Sequence, residues 1–310
     1  MKFINKVLSR IKISSIRLKE SNFDLNIGIN RKQIILKKIK PNLQEGLEIG
    51  PLCNPIVTKN EGNGRVWYVD LVSTEELKDK YRNDPNVFLK NIVNVDFILG
   101  KHSLSELLKS NFYDYVIASH VIEHVPDMIS WINEIGEVLK DKGIFSLVIP
   151  DKRYSFDYLR ELSSPGMIIE AFLRHQRQPR SREIFDHLAS ACVVDVISAW
   201  NGTIDKTSLI HYHNLQLAFD KAKDGFITEH YHDVHVNTFT PESFLNLLEI
   251  FVKLNLFDFD LVDFYDTIPN TLEFFVCLER IPRNSNRDKH ILVQLDCINR
   301  ARKRLNKQRS

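Results

Sequence analysis

The feature that most constrains this chain lies between residues 46 and 150, where short apolar runs that stop at an acid, a proline or a turn alternate with stretches of helical period. Gly46-Leu47-Glu48-Ile49-Gly50 runs into Pro51 and Asn54-Pro55, which reads as a buried strand entering a turn. Residues 65–70 read as a second strand, β-branched and aromatic, ended by Asp70. Residues 91–96, 113–118 and 144–150 read as a third, fourth and fifth, the third ending on Asp96. A helix is expected over residues 73–82, capped by Ser73 or Thr74. Met128, Trp131, Ile132, Ile135, Val138 and Leu139 mark an amphipathic helix with Pro126 and Asp127 at its start and Gly143 past its end. Such alternation implies an α/β fold with a mostly parallel sheet covered on both faces. Residues 257–264 and 272–278 are two further strands, too close in sequence for a parallel crossover and so expected to pair antiparallel.

The charge is unevenly spread. Of 42 Lys+Arg and 40 Asp+Glu, residues 1–40 and 283–310 together hold 20 basic and four acidic side chains, so the body between them carries a net charge of −14. The expected organisation is a basic N-terminal arm (1–40), one domain (41–282) with a helical insertion after the fifth strand at about 151–237, and a basic tail (283–310). Basic arms on an acidic body suit an anionic surface, and Phe3, Ile4, Val7, Leu8 and Ile11 fall roughly on one helical face. Solvated tails are the plainer reading of the same charge runs. Every apolar stretch is broken well short of a membrane span. The four cysteines are widely spaced without a CxxC, so neither a disulfide framework nor a metal ribbon is implied. A cytoplasmic protein is expected, with peripheral contact to the inner face of the membrane as the extension that the arms suggest.

In parallel sheets of this kind nucleotides bind beyond the carboxyl ends of the strands, where the strand order reverses. An acid ending the second strand, about 20 residues past the first turn, grips ribose hydroxyls. Gly50 and Asp70 have that spacing. Asp96 is the expected partner of an adenine amino group, and residues 119–127 follow the fourth strand at the mouth of the same crevice.

LEIGPLCNPIV (47–57), VWYVDLVSTEELKDKY (66–81), FYDYVIASHVIEHVPD (112–127) and LKDKGIFSLVIPDKRYSFD (139–157) resemble class I S-adenosylmethionine-dependent methyltransferases, and most nearly the bacterial group found beside glycosyltransferases of surface-polysaccharide synthesis. The resemblance implies a Rossmann-like seven-stranded sheet with an antiparallel last strand and S-adenosylmethionine as cofactor. It implies that Glu48 and Gly50 line the methionine end, that Asp70 holds the ribose, that Asp96 contacts adenine, and that Ser119 and His120 flank the sulfonium. The loop departs from the family pattern: of three spaced glycines only Gly50 remains, beside Pro51, Cys53 and Asn54-Pro55. The cofactor has no phosphates, so fewer backbone amides are needed there.

His120, Glu123 and His124 spell HxxEH, a zinc-protease signature that requires both histidines on one face of a helix. Here the motif follows a strand directly and Pro126 disfavours helix at Val125, so no metal site is expected. His230, His232, Asp233 and His235 form a second cluster, either lining the acceptor pocket or hydrogen-bonded structurally. For a hydroxyl acceptor the base candidates are His120, His232 and His235 in that order. Arg153 or Tyr154 is a further candidate for acceptor contact. The expected activity is methyl transfer to a small-molecule or saccharide acceptor. A non-catalytic binding module and an RNA-directed methyltransferase are the alternatives, the second opposed by the acidic body and by the absence of an RNA-binding motif.

Overall fold

The computed structural model describes residues 30–309 apart from Glu229. In chain order the elements are α1 (Arg31–Ile35), β1 (Gly46–Ile49), β2 (Val66–Asp70), α2 (Thr74–Lys80), β3 (Phe97–Ile98), α3 (Leu104–Leu107), β4 (Tyr113–Ser119), α4 (Met128–Val138), β5 (Leu139–Pro150), α5 (Pro165–Leu173), α6 (Ser181–Ser190), α7 (Val196–Trp200), α8 (Leu215–Thr228), α9 (Pro241–Lys253), β6 (Phe259–Tyr265), β7 (Glu273–Arg280) and α10 (Arg287–Arg309). The seven strands form one sheet in the order β3-β2-β1-β4-β5-β7-β6. Strands β1 to β5 pair parallel, whereas β7 lies antiparallel between β5 and β6. The Rossmann-like sheet with its antiparallel last strand is therefore present, and the strand order reverses between β1 and β4.

Alternation along β4 shows why these residues form a sheet covered on both sides. Val116 and Ala118 join one buried cluster with Ile132, Ile135, Phe244 and Phe251, under α4 and α9. Tyr115 and Ile117 join the other, with Ile34, Ile35, Val57 and Phe275. Successive side chains on a strand point to opposite faces, and here both faces are dry. Capping boxes at Ser73 and Thr240 start α2 and α9, each serine or threonine accepting the N3 amide.

Three segments differ from expectation. The stretch 91–96 is not a strand: residues 89–91 form a 3₁₀ turn, and pairing with β2 begins only at Phe97. Asp96 therefore precedes β3 rather than ending it. Second, the described end of the basic arm is built into the domain: Ile34, Ile35 and Ile39 are buried, and Ser146 donates to the Ile35 carbonyl. Third, the basic tail folds as α10, which buries Ile298, Ala301 and Leu305, its Arg302 pairing with Glu242 and Glu249 of α9. The apolar face proposed at residues 3–11 lies outside the described residues.

Candidate active site

The crevice opens at the carboxyl ends of β1 and β4. Gly50 closes β1 with φ +65°, a conformation L side chains rarely adopt, and a Cβ there would lie 3.1 Å from Val121 Cγ2. Beyond it Leu52 also takes a positive φ of 47°. The loop is held from within by Glu48, whose Oε1 accepts the Ile56 amide at 2.6 Å and whose Oε2 accepts that of Val57 at 3.0 Å. Burial pushes this carboxyl up to about 7 despite the two amide donors. Glu48 is thus a support of the loop, its carboxylate turned into the protein rather than to the expected methionine end.

Asp70 ends β2 at the crevice, where its Oδ1 accepts the Leu71 amide and burial raises its pKa. Asp96 is placed elsewhere: Oδ2 accepts the Tyr68 amide at 2.7 Å and pairs with Lys59 at 2.6 Å, beside the middle of β2. The adenine role expected of it has no geometric basis, because the residue sits at the opposite end of β3. The carboxyl end of β3 instead carries Leu99-Gly100-Lys101-His102, with Gly100 at φ +54°.

At the end of β4 the structure brings Ser119 and His120 together with two residues that sequence reasoning missed. Arg31 of α1 pairs with Glu273 at 2.5 Å and donates to Ser119 Oγ at 2.8 Å. His120, at φ +56°, places Nε2 2.9 Å from Glu273 Oε2. Burial opposes charge on both partners, but their mutual hydrogen bond prevails, raising the His120 pKa and holding Glu273 at about 2.

Next to His120 lies a cavity of about 180 Å³, lined by Glu123, His124, Tyr154, Phe156, Tyr212 and His235 among others. His235 Nδ1 lies 2.6 Å from Asp157 Oδ2, and both side chains are nearly inaccessible. Arg160 bonds Asp157 Oδ1 at 3.1 Å and the His235 carbonyl at 2.8 Å. Burial works to raise Asp157, but the bond to His235 and the neighbouring charges hold it at about 2. His187 takes the His235 amide on its Nδ1, and burial followed by the charge of His235 lowers its pKa to about 3. A neutral His187 leaves the dyad of Asp157 and His235 undisturbed. His232 is absent from the cavity lining and is tied to Asp224 of α8 at 2.9 Å. Arg153 folds back onto Asp151, whereas Tyr154 lines the cavity and stacks on Trp200. Asp157, Arg160, His187, Arg31 and Glu273 carried no local signal, although the resemblance extended as far as Asp157.

The strand order, the left-handed glycine after β1 and the acid ending β2 together define the class of S-adenosylmethionine-dependent methyltransferases, and these residues fit a phosphate-free adenosyl cofactor. The chain belongs to the methyltransferase-domain family, whose model matches residues 45–249. It is an S-adenosylmethionine-dependent methyltransferase, with S-adenosylmethionine as methyl donor. It is 28% identical over 147 residues to probable polyketide synthase 39 of Dictyostelium discoideum, an alignment that covers 40% of this chain and spans 5% of that protein's length. Solved structures similar to it include an S-adenosylmethionine-dependent methyltransferase from Methanosarcina mazei, at 14% identity and TM-score 0.38, covering 77% of this chain and 93% of that one. Another is the StiE O-MT segment 942–1257, at 12% identity and TM-score 0.37, covering 86% of this chain and 78% of that one.

Proposed function

We propose that the chain methylates a hydroxyl group of a saccharide-like acceptor seated in the cavity beside His120. The observation that carries this reading is the buried contact of 2.6 Å between His235 Nδ1 and Asp157. It fixes the imidazole with Nδ1–H donating, so that Nε2, 3.9 Å from Glu123, is the free base on the cavity side. The cofactor supplies an electrophilic methyl group on sulfur. When bound, S-adenosylmethionine would supply that methyl group to the acceptor oxygen and leave as S-adenosylhomocysteine, and His235 Nε2 would take the hydroxyl proton. Gly50 and Asp70 would hold the methionine and ribose portions, and Ser119 and His120 would flank the sulfonium end. His120 has its Nε2 engaged by Glu273 at 2.9 Å, and that bond keeps a proton on the ring, so it is the less available of the two. Alignment of the two reactants supplies the rest of the acceleration.

Formation of S-adenosylhomocysteine over a panel of sugar hydroxyl acceptors tests this. His235→Ala is expected to lower turnover about 100-fold or more while cofactor affinity is kept. Turnover unchanged by that substitution excludes His235 as the base.

A surface-polysaccharide setting and contact with an anionic membrane belong to the same proposal. Both are supported by the resemblance to the glycosyltransferase-associated group and by the excess of basic residues before residue 30. Among the described residues no helix is long and apolar enough to cross a membrane. Sedimentation with phosphatidylglycerol vesicles should fall when the lysines and arginines of residues 2–19 are replaced; equal sedimentation refutes the membrane contact.

A further inference from the structure

The spacing of HxxEH along the chain implied no metal site, because residues 120–124 do not form an α-helix. The fold nevertheless assembles one from distant residues. Glu123 is fully buried, and neither carboxylate oxygen has a hydrogen-bond partner among the described residues. A buried carboxylate without donors is costly unless a cation compensates it. Its Oε1 lies 3.6 Å from His120 Nδ1 and 3.9 Å from His235 Nε2. One ligand atom from each of Glu123, His124 and His235 lies within 4.8 Å of the other two. Each histidine lies against a second carboxylate: His235 Nδ1 bonds Asp157 at 2.6 Å, and His124 Nδ1 lies 2.9 Å from Asp233 Oδ1 as an ion-pair contact. Imidazoles held this way, with the other nitrogen left for an ion, are the usual outer shell of a metal site.

We propose that Glu123, His124 and His235 bind one divalent transition-metal ion, of which zinc is the best matched to two imidazoles and a carboxylate. Bonds of about 2.0–2.2 Å place tetrahedral ligand atoms roughly 3.4 Å apart, so the 3.9 Å separation of Glu123 and His235 closes by about half an ångström and His124, within 4.8 Å of both, moves in by up to about 1.4 Å. An overlapping triad, Asp157, His187 and His235, is a poorer site. Its carboxylate is already taken up by His235 and Arg160, and His187 Nδ1 by the His235 amide. All three proposed ligands line the acceptor cavity, which leaves the ion's fourth position facing it. The ion's role, though not its site, rests on the hydroxyl-acceptor reading and replaces its choice of base, because His235 Nε2 cannot both bind the ion and take a proton: an acceptor oxygen bound to zinc loses its proton more readily, the proton leaving to water.

The test begins with elemental analysis of the full-length protein after exhaustive dialysis, followed by titration of chelator-treated protein with Zn²⁺ against a competing chelator and with Co²⁺ by visible absorption. One equivalent of ion and a Co²⁺ spectrum in the tetrahedral range are expected. Glu123→Gln and His124→Ala should abolish both, Asp157→Asn should weaken affinity about 10–100-fold, and His211→Ala, at an exposed residue that bonds the Ala189 carbonyl outside the cluster, should change neither. Unchanged binding of S-adenosylmethionine by Glu123→Gln verifies that this near-isosteric variant is folded. Less than stoichiometric, millimolar binding, or equal binding by Glu123→Gln and the parent, overturns the site. Stoichiometric zinc with turnover indifferent to its removal overturns the role while leaving the acceptor reading to the His235→Ala result.

Discussion

The Glu48 carboxylate accepts the backbone amide of Ile56 at 2.6 Å, inside the loop that follows β1. An acid in the strand thus shapes a turn for which the family resemblance leads one to expect three spaced glycines. With Val57 held by the second oxygen, the chain can pass through Pro51, Cys53 and Pro55 and still present one left-handed glycine, Gly50, to the crevice. Local rigidity replaces local freedom.

This arrangement makes stability depend on pH. Burial raises the Glu48 carboxyl to about 7 from 4.5, so between those values the folded chain holds a proton that the unfolded chain has released. Stability contributed through Glu48 therefore falls as pH rises across that window and levels off above it. Glu48→Gln should lose this slope, and should also cost about 1–3 kcal/mol at pH 5, because its NH₂ group faces one of the two amides. Urea unfolding at intervals from pH 4 to 8 measures both effects, and parallel slopes for the two proteins would count against it.

Asp70 and Asp96 have opposite expected roles although both looked alike along the chain. Asp70→Ala should weaken S-adenosylmethionine binding about 10–100-fold, the worth of charge-assisted hydrogen bonds to a ribose diol. Calorimetric titration reads the affinity directly, and the thermal shift that saturating cofactor produces should shrink with it. An affinity within twofold of the parent would remove Asp70 from the site.

Asp96→Ala should leave cofactor affinity unchanged and lower stability by about 1–3 kcal/mol, because the Tyr68 amide loses its acceptor and Lys59 its partner. Denaturant unfolding and the same titration check the pair of outcomes. A loss of affinity without a loss of stability would restore the adenine role.

The difference between these two acids shows where reading along the chain stops. Residues 91–96 alternate as a strand does, but period two cannot say where pairing starts, and here the Asp96 side chain takes up the Tyr68 amide just before the ladder begins at Phe97. The strands with dense β-branched and aromatic runs, β2, β4 and β5, were legible because burial on both faces demands such runs. The basic stretch 31–40 looked like an arm because charge counts do not register position. Its Lys32 and Lys37 lie on the rim, paired with Glu61 and Asp263, while Ile34 and Ile35 fill the core between them. His235 was legible as a candidate base, but its partner was not: Asp157 is 78 residues away and reaches it only through the folded insertion.

That partnership carries a stability prediction of its own. Arg160 is buried, and Asp157 is the carboxylate that balances its charge, with the His235 and Val236 carbonyls accepting from its two terminal nitrogens. Asp157→Ala leaves a guanidinium without a counter-charge in a dry setting and should cost about 3–5 kcal/mol. Replacing both residues, as Asp157→Ala with Arg160→Met, should recover part of that loss because the isolated charge goes too. A double-mutant cycle from urea unfolding gives the coupling energy, expected to be about 1–3 kcal/mol. Strictly additive losses would mean that Arg160 is held by the two carbonyls alone, and that Asp157 is kept buried for His235.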